Sequence, residues 1–245
     1  MARVVALLLL LALPMRVALA DPVDLELLLL ADATSSIDEV EFEMQRRGYA
    51  AALVAPEVLA AIGAGGPLGR IAVAYVEWAG RRTQEVVVDW TVVGDAASAA
   101  VFAGRLLAEP RTVRGVNAIG AALVRGVELI ETNRFEGARK VIDLSGDSAW
   151  NPRRPTLAEA RALADGAGVG INGLAVLCDD CSGRQGAGSL EQRFRDELVT
   201  GPGAFVVTAD GRDAFAAAIR SKLVLEIAAL SPAGELAAHP SPTAQ

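Results

Sequence analysis

Two aspartates close apolar runs of strand length in this chain: Asp32 ends LELLLLAD and Asp147 ends VIDLSGD. Asp32 opens the polar cluster Asp32-Ala33-Thr34-Ser35-Ser36, which then starts a helical pattern. A third polar segment, Arg114-Gly115-Val116-Asn117, opens the helical pattern that leads into the Asp147 run. Asp32, Thr34, Ser36, Asn117 and Asp147 together supply two carboxylates, two hydroxyls and an amide, an all-oxygen set. Hard divalent cations take such a set, Mg²⁺ first and Mn²⁺ or Ca²⁺ as alternatives, and softer metals do not. Two carboxylates neutralise a dication without saturating it, and neutral hydroxyls leave it electrophilic. A remaining position can then accept a carboxylate from outside. No competent general base stands nearby in the sequence, so the set reads as a binding site and not a catalytic one.

The rest of the composition narrows the chemistry further. The 245 residues are 52% hydrophobic and 22% charged, which excludes a disordered chain. The formal net charge is −7, a field that repels phosphate backbones and anionic lipid. The one histidine, His239, sits in the terminal stretch HPSPTAQ, which removes Ser-His-Asp, Cys-His and His-rich zinc chemistry. The two cysteines, Cys178 and Cys181, form C-D-D-C after an apolar run. Two aspartates between the thiols would raise a thiol pKa, against a thioredoxin-like role, and no second CxxC exists to complete a zinc ribbon.

The elements that must position these residues alternate almost to the end of the chain. Strand-like runs are Leu25–Leu30, Ile71–Val76, Val86–Trp90, Val141–Leu144, Ile171–Leu177 and Phe205–Val207. Several are continuously apolar, as in strands buried on both faces of a parallel sheet. Helical patterns cover Ile37–Val54, Ala96–Ala108, Ala118–Glu131, Leu157–Ala164, Leu190–Leu198 and Asp213–Ala228. In the first of these, Ile37, Val40, Met44 and Ala51 form the expected buried stripe, with Glu39, Glu43 and Arg47 outside it. Only Gly80–Thr83 separates the second and third strand-like runs, which makes them a hairpin, and the other connections are βα units. The expected fold is α/β: a doubly wound, mostly parallel six-stranded sheet with helices on both faces, order 3-2-1-4-5-6, strand three antiparallel. In such a sheet the strand carboxyl ends and the helix starts share one edge, where all three polar segments can meet.

The first twenty residues, MARVVALLLLLALPMRVALA, read as an export signal with a short apolar stretch and a small-x-small cut after Ala20. No later segment is long and apolar enough to span a membrane. The expected organisation is a signal peptide at 1–20, one domain at 21–230 and a C-terminal tail at 231–245, in a protein that is periplasmic or secreted. Outside the cytoplasm, Cys178 and Cys181 read most simply as a local disulfide.

With the residues in view, D-x-T-x-S at 32–36 resembles the D-x-S-x-S metal-ion-dependent adhesion motif (MIDAS) of von Willebrand factor type A domains. The strand–hairpin–helix order resembles that fold from about Asp21 to Ala229. VEW at 76–78, SGD at 145–147, INGL at 171–174 and GPGAFVV at 201–207 resemble a bacterial family of exported, functionally uncharacterised proteins of this type. The resemblance implies metal ligands at Asp32, Thr34, Ser36 and Asp147. The family's threonine falls on Asn117, in N-A-I-G, which replaces a hydroxyl by a carbonyl oxygen on a longer arm. The implied function is an exported binding module that holds a divalent cation and captures an Asp or Glu of a protein partner.

Each piece also has a plainer reading. Ser36-x-x-Glu39 fits a capping box, and Asp38, Glu39 and Glu41 suit a helix N-terminus through its dipole alone. Asp143, inside a strand, reads as a paired structural acid, while Trp78 and Trp150 each fit either core or rim. Two rival functions stand beside the binding module. One is a metal-free scaffold whose site decayed at Asn117. The other is a haloacid-dehalogenase-like phosphatase, which needs a second carboxylate where Thr34 stands and a rim lysine that neither Lys140 nor Lys222 supplies.

Overall fold

The computed structural model of the protein describes residues 20–177 and 187–228; Cys178, Cys181, His239 and nearly all of the expected signal segment lie outside them. One sheet runs in the order β3-β2-β1-β4-β5-β6. Its strands are β1 (Asp21–Asp32), β2 (Ile71–Trp78), β3 (Gln84–Val93), β4 (Phe135–Gly146), β5 (Val169–Leu177) and β6 (Val206–Asp210). All neighbouring pairs are parallel except β2 with β3. That pair is closed by Ala79 N–H donating to the Thr83 carbonyl at 2.9 Å and Thr83 N–H to that of Gly80 at 3.1 Å. Strand order and sense are those the sequence predicts.

A period of two divides the leucines of β1 between two cores. Leu25, Leu27 and Leu29 join the cluster that holds Tyr49 of α1 (Glu39–Leu53), Phe102 of α3 (Ala96–Ala108) and Ile219 of α7 (Gly211–Ala228). Leu28 and Leu30 face Leu123 of α4 (Ile119–Glu131) and Ala160 of α5 (Leu157–Gly166) on the opposite side. All five leucines are fully buried, each stabilising the fold by about 2 kcal/mol. Two faces both covered by helices are what a continuous leucine run requires.

Three sequence expectations need correction. The helix α2 (Pro56–Ala64) has no counterpart in the sequence reading; Pro56 at its start and buried Val58 and Ile62 mark it. The pattern at Leu190–Leu198 divides into α6 (Ala187–Arg193) and a π-helical turn, Phe194–Leu198. In α1 the buried face carries Phe42, Gln45, Arg46, Tyr49 and Leu53, whereas Val40 and Ala51 are exposed. Polar Gln45 and Arg46 go inside because each finds partners there, which a hydrophobicity pattern does not reveal.

A buried charge cluster ties α7 to the sheet. Lys222 Nζ lies 2.8 Å from Asp143 Oδ1 and also pairs with Glu226, and all three are at most 1% exposed. Glu226 accepts from Asn172 Nδ2 at 3.0 Å, and Asn172 Oδ1 accepts the Phe205 N–H at 2.9 Å. Asp143 is thus the paired structural acid the sequence suggests. Burial raises its carboxyl to about 6; Lys222 opposes the rise and Glu226 adds to it. Burial raises the hydroxyls of Tyr49 and Tyr75 well above their ordinary range, and Asp143 adds to both, after Glu77 in the case of Tyr75.

Because the folded value stands above the unfolded one, Asp143 adds stability that is complete below about pH 4. That stability is lost as pH rises through 6. In thermal unfolding at pH 8 and pH 5, the wild type should gain several degrees on acidification relative to Asp143→Asn. Parallel pH profiles for the two chains would refute the assignment.

Candidate metal centre at the carboxyl edge of the sheet

β1 and β4 pair in parallel as far as Leu30↔Leu144, so Asp32 and Asp147 follow two and three residues later at the same edge. Asp32 is fully buried, and its Oδ1 accepts the Thr34 N–H at 2.8 Å. Its Oδ2 and Asp147 Oδ1 are buried without a hydrogen-bond partner among the described residues. Burial drives Asp32 up to about 8, and the charge of Asp147 adds to the rise. Asp147 is also raised by burial; the Ser36 hydroxyl, donating to it, works against the rise, and Glu41 contributes to it. Buried polar atoms are almost always paired, and here two interacting carboxyls each leave one oxygen without a hydrogen bond; Glu77 Oε2 and both Asp143 oxygens are the other such carboxylate atoms among the described residues.

The two hydroxyls lie with them. Thr34 Oγ1 is 2.9 Å from Ser36 Oγ, and Thr34 is 1% exposed. The helix cap expected of Ser36 is not observed. Asp38 is the N-cap of α1: Glu41 N–H donates to Asp38 Oδ1 at 2.8 Å, and Asp38 N–H to Glu41 Oε2 at 3.0 Å. The cap therefore sits two residues further on, and the Ser36 hydroxyl faces Thr34 and Asp147. Asn117 is 8% exposed and directly precedes Ala118, the N-cap of α4. Its segment docks on the Asp32 loop through the Gly115 carbonyl, which accepts the Ser35 N–H at 2.9 Å.

Several residues that position the site carry no motif. Gln45 donates to the Asp32 carbonyl at 2.8 Å and accepts from Ser145 Oγ at 3.1 Å, so one buried amide joins α1 to the ends of β1 and β4. Arg111 donates to the carbonyls of Ala33, Thr34, Ile37 and Asp38 at 3.0–3.3 Å, gathering the loop around one guanidinium. Arg46 forms a buried pair with Glu77 at 2.7 Å, and the guanidiniums of Arg46 and Arg111 both stack on Phe42, at 4.6 and 4.5 Å. Asn151 accepts the Gly120 N–H at 3.2 Å and donates to the Arg153 and Pro155 carbonyls, which fastens the loop after Asp147 to the start of α4. A Cβ at Gly120 would come within 2.2 Å of the Pro155 carbonyl oxygen, so only glycine admits this contact. The only sequence sign of Arg111 was its place between Pro110 and the polar segment.

Trp78 is buried beneath the site and Trp150 is 53% exposed at its edge, one in the core and one on the rim. A cavity of about 20 Å³ opens beside Asp32, between Glu41, Gln45 and Gly146. Its remaining wall is apolar and neither Thr34, Ser36 nor Asp147 lines it, so it is not where the oxygen donors converge. Among the described residues, no group of three or more His, Cys, Asp and Glu could hold a metal. The candidate set has two carboxylates and otherwise neutral donors. The lysines of the phosphatase alternative are engaged elsewhere: Lys140 with Glu131 at 3.0 Å, Lys222 with Asp143 and Glu226.

The sheet order, the single antiparallel strand and the flanking helices define a von Willebrand factor type A fold. The chain belongs to the family described as "Protein of unknown function (DUF1194)", whose model matches residues 22–231. Among solved structures it is similar to the pilus adhesin SpaC of Lactobacillus rhamnosus GG, with a TM-score of 0.59 and 14% identity over 85% of this chain and 31% of that one. It is also similar to proximal thread matrix protein 1 of the mussel byssus, solved with a zinc-occupied MIDAS motif. That match has a TM-score of 0.57 and 18% identity over 86% of this chain and 47% of that one. The VWA domain of SpRpn10 matches at 0.52 and 14%, over 87% and 96%. This chain thus spans about a third of the adhesin and under half of the mussel protein. At these identities the likeness is one of fold. No curated protein matches the sequence.

Replacing Arg111 by Met should remove a donor from four loop carbonyls, of which Thr34 and Asp38 keep backbone donors, and lower stability by about 2–3 kcal/mol. Thermal unfolding checks this, and an unchanged melting temperature would show that Arg111 does not organise the loop.

Proposed function

We propose that the protein is an exported binding module that holds one divalent cation, Mg²⁺ in the first instance, and captures a carboxylate of a protein partner. The observation that carries this reading is the pair of buried, unpartnered oxygens, Asp32 Oδ2 and Asp147 Oδ1, set against one another at the sheet edge. A dication between them cancels both their repulsion and the burial penalty. Asp32 and Asp147 supply the charge, Thr34 and Ser36 add neutral hydroxyls, and Asn117 offers its amide oxygen as a fifth donor. So few charged ligands leave the ion electrophilic toward an incoming Asp or Glu. Loss of metal through Asn117, giving a scaffold, is the second reading, and the departure from threonine at that position is what favours it.

Metal affinity should be weak, with Kd on the order of 1 mM for a site with two carboxylates. At 10 mM Mg²⁺ or Mn²⁺ that corresponds to about 1.4 kcal/mol of stabilisation and a rise of roughly 3–5 °C in melting temperature. Asp147→Ala should abolish the shift without unfolding the protein, and Asn117→Thr should enlarge it. A shift seen only in Asn117→Thr would establish the scaffold reading. No shift in either chain refutes the metal reading.

Export is the second half of the proposal. It rests on the leader-like first twenty residues and on β1 beginning at Asp21. Among the described residues, no helix is long and apolar enough to cross a membrane. Intact mass of protein from the producing cell should correspond to a chain starting at Asp21, two mass units lighter than the reduced form if Cys178 and Cys181 are joined. A full-length chain with free thiols would overturn it.

A further inference from the structure

The loops around the candidate metal centre carry an uneven set of exposed side chains. Val116 is 59% exposed on the segment just before Asn117, and Trp150 is 53% exposed three residues after Asp147. Singly exposed apolar residues are ordinary on a protein surface, and these two are set apart by their place on loops that border the candidate site. Arginines flank them: Arg81 and Arg82 at the tip of the β2–β3 hairpin, Arg114 next to Val116, and Arg153 beyond Trp150, all exposed. Arg114 reaches Glu39 at 2.7 Å, whereas Arg81, Arg82 and Arg153 form no ion pair among the described residues.

These loops touch one another and so form one surface. A Cβ on Gly80 would lie 4.0 Å from the Val116 carbonyl oxygen, and one on Gly115 would lie 3.0 Å from Gly80 N. Gly115 holds the Asp32 loop, and Asn151 fastens the Trp150–Arg153 loop to the start of α4. In a chain of net charge −7, these arginines make the hairpin and Trp150 loops the basic side of the rim, facing the acids Asp38, Glu39 and Glu41 at the start of α1.

We propose that the partner bears an acidic segment and not a single carboxylate. This rests on the metal-binding reading: one acid closes the cation's open position, neighbouring acids meet Arg81, Arg82 and Arg153, and an apolar side chain between them covers Trp150 and Val116. Charge complementarity selects the segment, and the tryptophan supplies a desolvated anchor. The overall negative charge of the chain disfavours nucleic acid as the occupant.

The test uses fluorescence anisotropy with a labelled, end-blocked decapeptide that carries aspartates and one leucine among glycines, in Mg²⁺ at low salt. Control peptides keep a single aspartate or replace leucine by serine. The multi-aspartate peptide should bind about tenfold more tightly than the single-aspartate one, and the margin should shrink as salt rises. The combined Arg81→Glu, Arg82→Glu and Arg153→Glu chain should lose that margin yet keep its Mg²⁺ thermal shift. Trp150→Ser should lose the preference for leucine. Retention of both preferences by these variants overturns the proposal while leaving the metal reading intact. If both preferences survive chelation and Asp147→Ala, the rim stands and the metal reading falls. Absence of binding to any peptide, tighter competition by heparin, or a wild-type dimer that the arginine variants dissolve each overturns the acidic-segment proposal.

Discussion

The parallel pairing of β1 with β4 in the middle of the sheet is the contact on which the candidate site depends. Both strands are buried on two faces, so a slip by one residue would turn Leu28 and Leu30 of β1, or Ile142 and Leu144 of β4, toward the opposite core. A register fixed that firmly carries Asp32 and Asp147 to adjacent places at the carboxyl edge. The same packing that sets their position removes water from them, and burial is the larger cause of the rise in both carboxyls. Geometry and electrostatics here have one origin. The core that stabilises the fold is also what holds both carboxyls above their ordinary range.

Rigid strands alone would leave the intervening loop free, and the loop must deliver Thr34 and Ser36. Arg111 does this with its charge facing backbone oxygens, so a cation organises the loop without being spent on either aspartate. A carboxylate ligand near such a guanidinium would ordinarily be neutralised by it. The nearby acids instead divide the cations among themselves: Glu77 takes Arg46, and Glu39 takes Arg114 and, at longer range, Arg111. Gln45 adds a neutral link from α1 to both central strand ends, which fixes positions and leaves the local charge unchanged. Neutral amides and committed arginines thus hold the shape, and among the described residues no basic side chain pairs with Asp32 or Asp147.

What could be read from the sequence follows from where apolar patterning is decisive. The strands, the hairpin and the strand order were legible because runs such as LELLLL admit few other fates and the connections are short. That Asp32, Thr34, Ser36 and Asp147 gather at one edge was legible because strand ends and helix starts fall there. The inner face of α1 was not, because Gln45 and Arg46 are buried through partners far along the chain: Ser145, Glu77 and the Glu109 and Pro110 carbonyls. Ser36 looked like a cap because the distinction from Asp38 lies in backbone geometry, and both residues precede a glutamate by three. Arg111 was invisible for the same reason as Arg46. A side chain that satisfies carbonyls of a distant loop leaves no period and no motif.

The remaining buried acids differ from Asp32 and Asp147 in having a cation beside them or N–H donors to both oxygens, although Glu77 Oε2 and both Asp143 oxygens also lack a hydrogen bond. Asp24 accepts backbone N–H groups of Leu68 and Arg70, and Glu26 accepts Asn133 Nδ2 and the Gly137 N–H. Glu77 has Arg46, while Asp143 and Glu226 share Lys222. Asp143 and Asp147 even stand on the same stretch of β4 and the loop after it, four residues apart, one beside a buried lysine and the other with no cation among the described residues. A buried like-charge pair is destabilising, so Asp32 keeps its proton up to about pH 8, where an arginine beside it would have released it. Instead the basic side chains are committed to carbonyls, to other acids, or to the solvent edge. The sheet edge thus gathers two carboxyls and two hydroxyls with no basic partner among the described residues, and the proposed divalent cation rests on that setting.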